Sequence, residues 1–92
     1  MPSGAGFFGV FGLNLEQQAA PLQLEGVVNK IIYRNEESAY LVMAVETAEG
    51  EEVVVGYSAG IAVGESIQAQ GSYTTHASYG RQFAAASITS IP

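Results

Sequence analysis

The stretch Leu22-Gln-Leu-Glu-Gly-Val-Val-Asn-Lys-Ile-Ile-Tyr33 decides how this chain is read. It holds two interleaved apolar sets, Leu22, Leu24, Val28 and Ile32 against Val27, Ile31 and Tyr33. Alternation on both phases predicts one long, curved strand buried on parts of both faces. Gly26 stands where such a strand bends or bulges. Outward from it, strand patterns alternate with turn residues. Arg34 to Ala39 is a polar loop, and Tyr40 to Thr47 is rich in β-branched and aromatic residues. Ala48-Glu49-Gly50-Glu51 then turns the chain into Glu52 to Tyr57, whose Val53-Val54-Val55 run suggests burial on both sides. Ser58 to Glu65 is too short and too broken by Gly60 and Gly64 for a proper helix. Ser66 to Tyr73 sets Ile67, Ala69 and Gly71 against Gln68, Gln70 and Ser72. A loop from Thr74 to Gln82 leads to a last strand, Phe83 to Ile91, which Pro92 ends because it cannot donate a ladder hydrogen bond.

Five strands without a helix predict an all-β fold, a small barrel over residues 22–92 of the oligonucleotide/oligosaccharide-binding (OB) type. An open sheet of this size would leave two apolar edges and an uncovered face. An SH3-like barrel has the same strand count, and the long coiled first strand favours the OB type. Residues 1–21 read differently, as a flexible arm rich in glycine and phenylalanine that frays or covers a hydrophobic patch. The arm spells G-x-G-x-x-G at Gly4, Gly6 and Gly9. Only Met1, Pro2 and Ser3 precede it, so no strand feeds the turn that a dinucleotide site needs. It lacks the cationic start and long apolar run of a secretory signal.

Composition narrows the function. The chain has 92 residues, 48% of them hydrophobic and 13% charged, which is enough apolar surface for one small folded domain. It has no cysteine, which excludes disulfides and thiolate zinc sites and points to a reducing, cytoplasmic location. No run approaches the ~18 apolar residues that would span a bilayer, so no membrane is expected as a partner. With His76 alone and no aspartate, neither a metal site nor a catalytic triad is expected. The only lysine, Lys30, stands outside any phosphate-binding loop, so no ATP or magnesium is expected in this chain. Glu36-Glu37 and Glu51-Glu52 are adjacent pairs, whose side chains point to different sides and read as solvated.

Nine glutamates oppose Lys30, Arg34 and Arg81, for a net charge of −6. Binding DNA mainly through phosphates needs more cations than this. The candidate contact surface is the segment Tyr73 to Phe83, which gathers two tyrosines, a phenylalanine, His76 and Arg81 around Gly80. Gly80 is expected to take a positive φ and turn the chain back. In an OB barrel the loops between strands one and two, and four and five, flank the ligand face. That places Arg34, Tyr40, His76, Tyr79, Arg81 and Phe83 as candidate single-strand contacts, with bases stacked on the aromatic rings. The bland alternative is a well-packed hairpin in which Tyr79 and Phe83 cap the barrel and Gln82 bonds to backbone.

Three blocks in order carry a family resemblance. Leu24-Glu25-Gly26-x-Val28 leads into Tyr33-x-Asn35-Glu36-Glu37-x-x-Tyr40, Val55-Gly56-Tyr57 precedes Val63-Gly64-Glu65, and Gly71-x-Tyr73-x-x-His76-x-x-Tyr79-Gly80-x-Gln82-Phe83 closes the series. Together they resemble the amino-terminal OB-type domain of RecD-like ATP-dependent DNA helicases (exodeoxyribonuclease V alpha-subunit-like). Tyr73 stands where tryptophan is usual in that family. The resemblance implies a parent that hydrolyses ATP with magnesium and unwinds DNA from 5′ to 3′, in DNA repair or recombination. This domain would then be a non-catalytic accessory. Its expected partner is single-stranded DNA, bound weakly, or else the helicase motor or a replication or repair protein.

Overall fold

A run of fourteen β residues, Leu22–Asn35, forms β1 in the computed structural model, which describes residues 21–92. The arm expected over residues 1–21 lies, apart from Pro21, outside the described residues. The remaining strands are β2 (Tyr40–Thr47), β3 (Gly50–Tyr57), β4 (Ser66–His76) and β5 (Gly80–Ile91). They close into a barrel in the order β1-β2-β3-β5-β4, with β4 returning to pair with β1. All pairings are antiparallel except β3 with β5, which run parallel through only two register pairs, Val54↔Phe83 and Val55↔Ala84. The all-β barrel expected from the sequence is therefore the fold. Among the described residues no helix is long and apolar enough to cross a membrane.

β1 curves through two register skips, between Val28 and Lys30 and between Ile31 and Tyr33. The bend thus falls after Gly26 rather than at it. Gly26 serves a close approach instead: a Cβ there would collide with the Glu46 carbonyl oxygen and lie 2.7 Å from a Val45 methyl. The alternating side chains of all five strands meet inside. Val28, Leu41, Met43, Val45, Val54, Ile67 and Phe83 are fully buried, with Leu24 and Ala69 beside them. Between β3 and β4, Ser58–Glu65 inserts Ile61 into this core. Its backbone is tied to β1 by Gly64 N–H donating to the Val28 carbonyl and Val28 N–H donating to that of Glu65, both 2.8 Å.

The largest departure from the sequence reading lies between β4 and β5. The loop expected over Thr74 to Gln82 is mostly hairpin, and only Ala77, Ser78 and Tyr79 turn. Thr74 and Thr75 suit a strand and pair with Gln82 and Arg81. Two local devices shorten the turn. Gly80 has φ +81°, as expected of it. His76 Nδ1 accepts the backbone N–H groups of Ser78 at 3.0 Å and Tyr79 at 3.3 Å.

Candidate nucleic-acid interface

Register partners in a sheet share a face. Leu41, Met43 and Val45 point into the barrel, so Tyr40 and Val42 point out of it. Across β2 they meet Tyr33, paired with Val42, and Tyr57, paired with Tyr40. The rings lie in series: Tyr33 to Tyr40 at 6.2 Å with planes 56° apart, and Tyr40 to Tyr57 at 5.4 Å and 64°. These tilted and edge-to-face arrangements are favourable for aromatic quadrupoles. The tip of the β4–β5 hairpin stands over the same face. His76 and Tyr79 rings are 4.6 Å apart, and Tyr79 is 77% exposed.

Between hairpin and barrel wall runs a groove of about 540 Å³, lined by Ile32, Tyr33, Tyr40, Val42, Val53, His76, Tyr79 and Gln82. Among the described residues neither a carboxylate nor a Lys or Arg side chain lines it. At the far end of the same sheet face the character reverses. Glu46 and Glu51 are directly opposed, and Asn29 Nδ2 donates to Glu51 at 3.0 Å. The face thus passes from aromatic and uncharged to acidic, and a polyanion is repelled from that second end.

Of the side chains expected here from the sequence, Tyr40, His76 and Tyr79 come together in the groove, and the other three go elsewhere. Arg34 turns its guanidinium to the Ile61 carbonyl and holds the inserted segment in place. Along β5, alternation sends Gln82 to the groove and Arg81 with Phe83 to the opposite side. Arg81 sits over the Tyr73 ring at 4.2 Å, and its Nη2 donates to both carboxylate oxygens of Glu52 at 3.0 and 2.8 Å. Phe83 is fully buried, edge-on to Tyr73 at 5.1 Å, and has no face to offer a base. The expectation of two arginines flanking one ligand face is therefore corrected, because each is committed to an intramolecular partner.

Sequence reading missed Ile32, Tyr33, Val42, Val53 and Gln82, and the neighbouring Tyr57. Tyr57 was within reach of simple counting. Thr47 pairs with Gly50 across a two-residue turn, and stepping outward from that pair brings Tyr40 opposite Tyr57. Tyr33 had no such signal, since the register skips in β1 decide its facing. Among the described residues no three His, Asp or Glu side chains gather where a metal ion would sit.

A family model described as the OB-fold domain of ATP-dependent DNA helicase YrrC matches residues 21–92. Comparison with curated proteins returns no match.

Proposed function

The chain belongs to the OB-fold domain family of ATP-dependent DNA helicase YrrC, and from that premise we propose that it is a non-catalytic accessory domain contacting single-stranded DNA weakly, by base stacking in the aromatic groove. ATP hydrolysis, its magnesium and 5′ to 3′ unwinding are assigned to the motor of such a parent. The observation that carries this reading is the groove itself: tyrosine rings in series, an aromatic hairpin tip above them, and, among the described residues, no charged side chain in its wall. Stacking contributes ~1–3 kcal/mol per base. Two engaged bases then supply at most about 6 kcal/mol, a dissociation constant no tighter than tens of micromolar. Phosphates add little at the groove, since Arg34 is turned to the Ile61 carbonyl, Arg81 is paired with Glu52 on the other side of β5, and of the three cations Lys30 is the exposed one left near the face. At ~0.7 per neutralised phosphate the salt slope is about −1 or shallower.

Titration with single-stranded heptamers at two salt concentrations, followed by the tyrosine ring resonances, tests this. Shifts at Tyr33, Tyr40 and Tyr79, weakened about tenfold by Tyr79→Ala, are the expected result. Nanomolar affinity with a steep salt slope would refute the charge argument. The second reading is a surface that packs on the helicase motor or a replication or repair partner. The net charge of −6 and the uncharged apolar groove favour it. Silence of all three tyrosines at millimolar oligonucleotide would select it over DNA binding.

A further inference from the structure

We propose that the groove reads the edge of one unpaired base, with Gln82 as the specificity-determining contact. The inference rests on the single-strand reading above and goes beyond stacking, which any base satisfies. Tyrosine hydroxyls aside, two polar side chains among the described residues line an otherwise apolar channel, His76 and Gln82. His76 Nδ1 accepts two backbone N–H groups of the turn, so the neutral ring carries its proton on Nε2. Its free polar atom is therefore a donor, and its place is fixed by the turn it closes. Gln82 is half-buried in the groove on β5, and among the described residues nothing hydrogen-bonds its amide. That amide offers a carbonyl acceptor and an NH₂ donor side by side.

A phosphate presents acceptors and negative charge, and the described residues of the groove meet it with neither a cation nor a cluster of donors. A nucleobase is flat and uncharged, and carries a donor and an acceptor adjacent on its edge. This is the pattern an amide pairs with. Tyr33, Tyr40 and Tyr79 offer the ring faces, and Gln82 lies on the wall beside them, where a stacked base would present its edge. The same alternation that takes Arg81 to the other side of β5 leaves Gln82 as the edge reader.

The test compares a thymidine heptamer with a heptamer of difluorotoluene nucleotides, which keep the shape of thymine and lack its hydrogen-bonding edge. The wild-type chain is expected to bind the thymidine strand about fivefold more tightly, the lower end of discrimination by one bidentate contact. Gln82→Met, similar in volume and without the amide, is expected to erase that preference while the Tyr33, Tyr40 and Tyr79 shifts persist. Thermal melting checks its fold, and Gln82→Leu takes its place if it melts early. Equal affinity of the wild type for both strands would overturn edge reading and leave stacking intact. So would a preference that survives in both variants. No tyrosine shift with either strand would overturn the single-strand reading itself, and edge reading with it.

Discussion

Replacing Gly71 by alanine tests the tightest contact in the barrel. Gly71 lies on β4 beside the register shift that separates Gln70↔Ser87 from Gly71↔Ala85. A Cβ there would overlap the Ala84 carbonyl oxygen and stand 2.9 Å from both the Ala84 carbonyl carbon and Ala85 Cα. Ordinary contact begins at 3.4 Å, and every one of these atoms is backbone, so no side-chain rotation relieves the clash. The strands must separate locally. That strains or breaks about two ladder hydrogen bonds, worth ~1 kcal/mol each. Overpacking strain of ~1–3 kcal/mol adds to this. The expected loss is about 3–5 kcal/mol, a large share of the ~5–15 kcal/mol typical of a whole domain. In thermal unfolding that is a fall in Tm of ~15 °C or more. Urea denaturation of the full chain measures it directly. A loss below ~1 kcal/mol would show that β4 and β5 slide apart freely at this point, and the close-approach argument would fail.

Phe83→Ala removes the largest fully buried side chain, and a loss of ~3–5 kcal/mol in chemical denaturation is expected. Gly80→Val places a β-branched residue at φ +81° with open space around its Cβ, so the ~1–3 kcal/mol cost is backbone strain alone. Gly80→Asn, which tolerates that region, should cost clearly less on the same denaturation curve. Arg34→Met removes the guanidinium anchor of the Ile61 segment, at ~1.5–3 kcal/mol for a charged hydrogen bond. Its oligonucleotide affinity should stay unchanged, and a parallel loss of binding would return Arg34 to the ligand face.

The barrel was legible because its cues are local and agree. Alternation in Ser66 to Tyr73, the double phase of Leu22 to Tyr33, and glycine at the β2–β3 and β4–β5 turns all point to strands and tight reversals. The site was half legible. Tyr40, His76 and Tyr79 lie in or next to polar turns, where exposure follows from the pattern. Phe83 is the instructive failure, because an aromatic in a turn-rich segment looks available. Its facing is set by its place in β5, between Tyr73 on one neighbouring strand and Val54, twenty-nine residues away, on the other. Arg34 and Arg81 failed for the same reason. Charge says that they carry a cation, and only the three-dimensional register says that the Ile61 carbonyl and Glu52 already hold it.

A closed ring of strands has one narrowest link, and here it is the parallel seam of two register pairs. The antiparallel ladders on either side of it are several times longer. Transient opening of a native protein follows the smallest set of bonds that must break together. For this barrel that means parting β3 from β5 while both hairpins stay zipped. Such an opening uncovers Phe83 and tips the β4–β5 hairpin, and with it Tyr79 and Gln82, away from Tyr33 and Tyr40. Amide protons along the seam would then exchange with solvent well before those of the β2–β3 ladder. The width of the groove would be set by the breathing of a single joint.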